Sequence, residues 1–242
     1  MQSACVRYQW KRVTAQEEFA FVKTWKDVIR RTPLYQAHRR WRRKKKQVKA
    51  IAEWKATGRP VPPPHIIKEM TLRTFARRYR LGVLVETGTK FGDMLLGVAD
   101  NFERIYSIEL SADFVARARR RFAHCRHIEL IEGDSGKEIE FLLPRIDRPA
   151  LFFLDSHFSG AETAKGQTET PILLELEHIL ASPDPGHVIL IDDARYFGMN
   201  PDYPTLPQLM DFVRTRRDGV EIRVRDDIIR ITPMKHLRTE SK

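Results

Sequence analysis

Short apolar runs alternate with helical patterns from about residue 80 onward, and this alternation predicts a parallel α/β sheet. The runs predicted to be buried strands are residues 83–85, 105–110, 127–131, 150–154 and 188–191. Helical periodicity predicts helices at residues 93–102, 112–123, 137–143, 170–181 and 206–216. Thr170 is the expected N-cap of the helix that it opens, with Pro171 at the first helical position. Residues 220–225 and 228–232 alternate with a period of two around Asp226 and Asp227, which predicts a closing hairpin.

The first 80 residues carry only helical patterns, predicted at about residues 15–31, 34–56 and 64–79. Gly58 and four prolines between residues 60 and 64 separate the second helix from the third. The third helix is expected to pack on the edge of the α/β domain through its apolar positions, Ile66, Ile67, Met70, Leu72 and Phe75. We therefore expect a helical extension over residues 1–60 and an α/β domain over residues 61–242, which includes the packing helix 64–79.

Charge divides the chain in the same way. Residues 1–80 contain 22 Lys or Arg against 5 Asp or Glu, a net charge of +17, whereas the remainder has a net charge of −6. All four tryptophans also lie in this basic segment, at positions 10, 25, 41 and 54. Tryptophan beside basic residues suits an anionic membrane surface, and it equally suits nucleic-acid phosphates. A solvated helical face that serves homo-oligomerisation is the third interpretation, and composition leaves all three open.

Length and composition exclude several other classes. A chain of 242 residues with 42% hydrophobic residues can build one α/β domain of about 150 residues plus an extension. Cys5 and Cys125 are far apart and lack metal-ligand spacing, so neither a disulfide framework nor a zinc site is expected. No apolar run approaches the roughly 20 residues that span a bilayer, and the N-terminus lacks a signal-peptide core. These features predict a cytoplasmic protein, either free or peripheral on the inner membrane surface.

The segment LVETGTKFGD at residues 84–93 predicts a strand, a glycine turn and a helix, the arrangement that holds an adenosine-containing cofactor. Glu109 ends the next strand 21 residues after Gly88, close to the interval at which a carboxylate meets a ribose diol. The spacing of Gly88 and Gly92 does not match the dinucleotide pattern GxGxxG, and Glu86 would repel a diphosphate. The turn therefore favours a cofactor with a positive centre and no phosphate; a generic α/β turn without a cofactor is the alternative.

These residues resemble the class I S-adenosylmethionine-dependent methyltransferases over about residues 80–233. Their first motif, (E/D)xGxGxG, is matched by Glu86, Gly88 and Gly92, while Lys90 replaces the middle glycine. The resemblance implies a Rossmann-like seven-stranded sheet and S-adenosylmethionine as cofactor. The cofactor-binding residues that it implies are Glu86, Thr87, Gly88, Thr89, Gly92, Glu109, Leu110, Asp134, Ser135 and Asp155.

Acidic residues follow the ends of all five predicted parallel strands, where ligands bind in such sheets. After the fourth strand the chain continues as Asp155, Ser156, His157 and Phe158. It lacks the [DNS]PP[YFW] motif of methyltransferases that modify base amino groups. The chain is more similar to metal-dependent O-methyltransferases, and this resemblance implies that Asp155, Asp192 and Asp193 bind Mg²⁺.

Asp155 and His157 are the expected catalytic residues, with His157 as general base because an imidazole titrates near neutral pH. The alternatives are that Asp192 and Asp193 cap a loop, that Asp155 contacts the sulfonium, and that His157 is structural. The polar segment 159–170 is expected to be a lid or an acceptor-recognition loop, or else a plain surface connection.

Together these features predict an S-adenosylmethionine-dependent methyltransferase that O-methylates a glycan or another small polar acceptor. The segments FLDSHFSG, TAKG and TPI also resemble bacterial methyltransferase-like proteins associated with glycan biosynthesis. An RNA methyltransferase guided by the basic helices is the enzymatic alternative. A cofactor-binding or scaffold module without catalysis is the non-enzymatic one.

Overall fold

A computed structural model describes residues 32–155, 170–183 and 186–234. The predicted helix 15–31, His157 and nearly all of the predicted lid segment lie outside the described residues. The chain forms two compact units, Met1–Ala52 and Glu53–Lys242.

Helix α1, Pro33–Ala56, supplies the described part of the first unit and contains the basic run predicted to be helical. Three apolar side chains spaced seven residues apart, Leu34, Trp41 and Val48, are 84%, 58% and 60% exposed. Residues at this spacing lie on one side of a helix. None of the helices in the described residues combines the length and the apolar character needed to cross a membrane.

The second unit is built on one seven-stranded sheet in the order β3-β2-β1-β4-β5-β7-β6. The strands are β1 Val83–Thr87, β2 Arg104–Glu109, β3 Ile128–Glu132, β4 Ala150–Leu154, β5 Val188–Ile191, β6 Val220–Arg225 and β7 Ile228–Pro233. The first five strands pair in parallel, whereas β7 pairs antiparallel to both β5 and β6. The predicted alternating sheet with its closing hairpin is confirmed. Strand order reverses between β1 and β4, where ligands bind in open α/β sheets.

Helices cover both faces of the sheet. They are α2 His65–Arg78, α3 Asp93–Val98, α4 Ala112–Arg121, α5 Ser135–Leu142, α6 Ile172–Ala181 and α7 Leu206–Arg216. Successive strand residues enter opposite core layers, as the pleat requires: Leu151 and Phe153 pack with α2, α3 and α4, whereas Phe152 and Leu154 pack with α5, α6 and α7. The apolar strands are therefore buried on both sides, which explains their unbroken hydrophobic runs.

Helix α2 packs on the sheet as predicted, through Leu72 and Ala76. Ile66 and Ile67 are buried as well, but Met70 is 45% exposed, so its predicted place on the packed face is wrong. Met70 lies two positions before Leu72, which puts it about half a turn away around the helix.

Several predicted helix bounds differ from the structure by one to four residues. Helix α3 ends at Val98 and continues as a 3-10 turn, Ala99–Asn101. Helix α5 begins two residues earlier than predicted, because the Asp134 carboxylate accepts a hydrogen bond from the Gly136 backbone N–H at 3.1 Å and caps it. Helix α6 begins at Ile172 with Pro171 at the N-cap position, so Thr170 precedes the cap.

Candidate active site

The residues that follow β1, β2, β4 and β5 lie along one edge of the sheet, joined by backbone hydrogen bonds. The Gly88 N–H donates to the Ile108 carbonyl at 2.9 Å, and the Asp155 N–H donates to the Thr87 carbonyl at 3.2 Å. The Asp192 N–H in turn donates to the Leu154 carbonyl at 3.0 Å. The structure therefore brings the predicted cofactor turn and the predicted acceptor residues to neighbouring positions on this edge.

The turn after β1 depends on left-handed backbone at Gly88, Lys90 and Gly92, with φ of +83°, +47° and +69°. Gly92 is also the N-cap residue of α3, and a Cβ atom there would lie 2.6 Å from Cε2 of Phe122. Only glycine fits this position without strain, both for its φ and for its contact with the ring. Lys90 adopts the left-handed region as an L-residue, in place of the middle glycine of the motif.

Glu109, at the end of β2, holds this turn. Its Oε2 accepts a hydrogen bond from the Lys90 N–H at 2.7 Å, and its Oε1 accepts one from the Ser111 N–H at 2.9 Å. Each carboxylate oxygen has a second lone pair. Glu109 can therefore fix the turn and still accept from ribose hydroxyls beside it.

Glu86 is buried in the sheet, with 1% of its surface exposed. Its carboxyl accepts a hydrogen bond from the Ser107 hydroxyl at 2.5 Å, and that hydroxyl lies 2.6 Å from the Thr89 hydroxyl. Burial, together with the charges of Asp155 and Glu109, raises the pKa of Glu86 to about 8, although the hydrogen bond from Ser107 opposes the shift. Without a ligand, Glu86 is therefore mostly neutral at neutral pH, and a cationic cofactor beside it would favour the charged carboxylate.

The other predicted cofactor-binding residues differ in their exposure and in their hydrogen bonds. The Thr87 hydroxyl accepts a hydrogen bond from the Asp155 N–H at 3.3 Å, and the Asp134 carboxylate caps α5. Ser135 is buried in the first turn of that helix. Leu110 is 37% exposed directly after β2. Of these four residues, Thr87 and Ser135 are buried, whereas Leu110 and Asp134 are at least partly exposed.

Asp155, Asp192 and Asp193 form the acidic cluster that the sequence predicted. Each offers a carboxylate oxygen, and these oxygens lie within 4.8 Å of one another. Asp192 and Asp193 are 4% and 5% exposed. Among the described residues, Oδ1 of Asp192 has no hydrogen-bond partner. A buried hydrogen-bond acceptor without a donor costs free energy, so this oxygen favours a ligand that can donate to it.

Lys68 reaches this cluster from α2, and sequence reasoning missed it. Its ammonium donates a hydrogen bond to Oδ2 of Asp192 and another to Oδ1 of Asp193, the latter at 3.3 Å. Burial alone would lower the pKa of Lys68, but the charges of Asp192, Asp155 and Asp193 raise it above its ordinary value. Its sequence signal is a lysine four and eight residues before Leu72 and Ala76, on the buried stripe of an amphipathic helix.

Asp193 has a second cationic partner, Arg195, whose guanidinium donates to Oδ1 of Asp193 at 2.7 Å. Asp227, from the β6–β7 turn, holds Arg195 in place: its carboxylate accepts from the Arg195 N–H at 2.9 Å and also binds the guanidinium. Asp227 is thus more than a turn residue, because it connects the hairpin to the acidic cluster. In the sequence, Asp227 stands next to Asp226 between two predicted strands, and this position indicates a turn but not a contact with Arg195.

As folded, the cluster does not fit the predicted divalent ion. Its three carboxylates are suitable oxygen donors, but Asp192 and Asp193 already bind cationic side chains. A metal ion would have to displace the Lys68 ammonium and share Asp193 with Arg195. The pKa of Asp192 is raised by burial and by the charge of Asp155, even though Lys68 opposes the shift.

Aromatic side chains flank the cluster on the side of the 3-10 turn Ala194–Tyr196. The ring centroids of Tyr196 and Tyr203 lie 5.9 Å apart. Burial raises the pKa of Tyr203 against a hydrogen bond with Thr170, and the charges of Asp193 and Asp155 raise it further. An open cleft that shares Tyr196 is lined by Tyr196, Met199, Asn200, Pro201 and Asp202. Carboxylates, a lysine and aromatic rings together suit a polar, hydroxyl-bearing ligand.

Comparison with known proteins identifies the fold. No protein-family model matches the chain, and no curated protein matches it in sequence. An O-methyltransferase from Bacillus cereus, solved with S-adenosylhomocysteine, is similar with a TM-score of 0.52 and 15% identity, covering 77% of this chain and 90% of that one. The O-methyltransferase TomG from Streptomyces achromogenes, which acts in tomaymycin synthesis and was solved with S-adenosylmethionine, has a TM-score of 0.50 and 19% identity, covering 77% and 88%. The chain therefore has the class I S-adenosylmethionine-dependent methyltransferase fold.

Proposed function

We propose that this protein is an S-adenosylmethionine-dependent methyltransferase that methylates a hydroxyl group of a glycan or another small polar acceptor. The fold, the left-handed turn after β1 and the position of Glu109 support the cofactor. The two structures compared above are O-methyltransferases, one solved with S-adenosylmethionine and the other with S-adenosylhomocysteine. Their likeness establishes the fold, so the residues around Asp192 must support the acceptor.

The observation that carries the proposal is the pairing of an acceptor and a donor in the acidic cluster. Oδ1 of Asp192 is buried without a partner in the described residues, and the Lys68 ammonium binds the other oxygen of the same carboxylate. A hydroxyl can donate to Asp192 and accept from Lys68 at once. Sites built in this way discriminate strongly against analogues without the hydroxyl, because their buried polar groups would stay unpaired.

The proposed reaction is an in-line transfer. The acceptor oxygen attacks the methyl carbon, the carbon–sulfur bond breaks, and its electron pair stays on sulfur to give S-adenosylhomocysteine. The hydroxyl proton passes to a base, for which we propose His157, two residues beyond Asp155. Asp155 is placed beside the cofactor turn by its backbone bond to Thr87, so it would align the reacting groups.

Transfer of a labelled methyl group to sugars, lipid-linked glycans and RNA tests the acceptor class. We expect label in a hydroxyl-bearing glycan acceptor, and we expect Asp192→Asn to lower the rate at least tenfold while S-adenosylmethionine binding by calorimetry is unchanged. Asp211→Asn, an exposed carboxylate on α7, is the matched control. Label found only in RNA would support the alternative acceptor. Failure of the wild-type protein to bind S-adenosylmethionine would refute the enzyme proposal itself.

The charge of helix α1 supports binding to an anionic partner, because its 24 residues include nine Lys or Arg and a single Glu. With Trp41 exposed among these charges, we propose that α1 binds an anionic membrane surface, where lipid-linked acceptors would be reached. Vesicle flotation tests this surface directly, and RNA retention tests the competing polyanion.

A further inference from the structure

We propose that the Lys68 ammonium is the built-in cation of the acidic cluster, occupying the place where its three carboxylates would otherwise bind a divalent ion. The protein would then position its acceptor hydroxyl without a metal. This role deepens the proposed hydroxyl methylation and rests on it, but occupancy of the cluster can be measured without the reaction.

Geometry supports competition for the same atoms. The carboxylate oxygens of Asp155, Asp192 and Asp193 lie within 4.8 Å of one another, and the Lys68 ammonium binds two of the three carboxylates. Mg²⁺ binds its oxygen ligands at about 2.0–2.1 Å in a near-octahedral shell. An ammonium already bound to these carboxylates blocks such a shell, because the two cations would need the same oxygen lone pairs.

Charge supports the same conclusion. The three carboxylates, and Asp227 behind them, face the ammonium of Lys68 and the guanidinium of Arg195, which leaves two net negative charges when all are ionised. A divalent ion added beside the ammonium would be repelled at a separation of a few Å. If position 68 were neutral, the cluster would gain a negative charge and Oδ2 of Asp192 would lose its partner.

Lys68 is held in position by the helix that carries it. The following turns of α2 are anchored in the core by Leu72 and Ala76, and the lysine side chain is only 15% exposed. An ammonium carries three N–H donors, and the contacts with Asp192 and Asp193 use two of them. The third can donate to the oxygen of an acceptor hydroxyl. Lys68 would thus hold the acceptor oxygen while Oδ1 of Asp192 receives its hydrogen.

Titration with Mn²⁺, followed by the electron paramagnetic resonance signal of the free ion, tests the proposal on the full chain. We expect wild-type protein and Lys68→Arg to bind no Mn²⁺ at this cluster. Lys68→Met should bind one Mn²⁺ with an affinity on the order of 100-fold higher, because a unit charge a few Å away is removed. Adding Asp192→Asn to Lys68→Met should abolish that binding. Lys137→Met, which removes an exposed lysine on α5, should behave as wild type.

Two results would overturn the proposal: wild-type protein that binds Mn²⁺ and loses it on Asp192→Asn, or folded Lys68→Met that gains no Mn²⁺ binding. Circular dichroism checks that each variant folds, and Lys68→Gln replaces Lys68→Met if the latter does not. The wild-type and Asp192→Asn comparison decides the question even if neither neutral variant folds. A protein that transfers no methyl group but shows the expected Mn²⁺ pattern would contradict the proposed function alone.

Discussion

Gly92→Ala is the sharpest test of the cofactor turn, because two separate costs meet at this residue. Its φ of +69° lies in the left-handed region, and its added Cβ would lie 2.6 Å from Cε2 and 3.2 Å from Cζ of Phe122. Phe122 is buried in the core layer beneath α2, α3 and α4, so its ring has little room to move. The substitution therefore strains both the backbone and the packing.

The expected destabilisation follows from these two terms. Left-handed backbone costs an L-residue about 1–2 kcal/mol, of which alanine recovers about 0.5–1 kcal/mol through the lower entropy of its unfolded chain. Overlap with a core side chain costs about 1–3 kcal/mol. The free energy of unfolding should therefore fall by about 1–4 kcal/mol, which lowers the Tm by roughly 3–12 °C in a domain of this size.

Gly219→Ala separates the two terms. Gly219 has the same φ of +69°, but a Cβ there would meet no atom of the described residues within 4 Å. In urea denaturation followed by circular dichroism, Gly219→Ala should lose about 1 kcal/mol or less. Combining Gly92→Ala with Phe122→Leu should shrink the penalty of the glycine substitution toward that value. Equal losses for Gly92→Ala and Gly219→Ala would refute the proposed clash.

Three further expectations concern charge and backbone. Because burial raises the pKa of Glu86 from an ordinary value of 4.5 to about 8 in the folded protein, the contribution of Glu86 to stability should be full below the lower value and should be lost as pH rises through the higher one. Glu86→Gln should remove this decline in urea midpoints measured at about pH 5 and about pH 9, and an unchanged slope would contradict the assigned burial cost. Lys90→Gly should raise the free energy of unfolding by up to about 1 kcal/mol, because the φ of +47° at this position strains an L-residue. A loss of stability would show that the lysine side chain contributes more than the backbone strain costs. Replacing Arg42 and Lys46 on α1 by Ala should weaken binding to anionic vesicles roughly 30-fold, because each basic residue contributes about 1 kcal/mol. Arg223→Ala on β6 is the control and should not weaken it. Unchanged flotation of the double variant would exclude the membrane surface for α1.

Much of the fold could be predicted because its signals are local. The bounds of β4, β5, β6 and α7 agree with the prediction to the residue, since a run of apolar residues or a helical period needs no distant partner to be recognised. The differences arose where a short-range bond competed with the pattern. Asp134 is an example, since its side chain starts α5 two residues early.

Proximity of the site residues was also predictable in outline. Parallel strands end on the same edge of a sheet, so the positions of Asp155, Asp192 and Asp193 after β4 and β5 were enough to predict one cluster. The partners of that cluster were not predictable in the same way. Lys68 precedes Asp192 by 124 residues, and nothing in the local sequence of either specifies the other.

The sequence by itself established the alternating sheet, the glycine turn and the acidic strand ends, because periodicity and spacing encode them locally. The packing of α2 brings Lys68 onto the carboxylates, and the pairing of β1 with β2 buries Glu86 against Ser107. Both events bear on charge: one supplies a cation where a metal was expected, and the other raises the pKa of a carboxylate in the predicted cofactor motif. Desolvation and Coulomb interactions depend on which groups become neighbours in space, and that is a property of the folded chain.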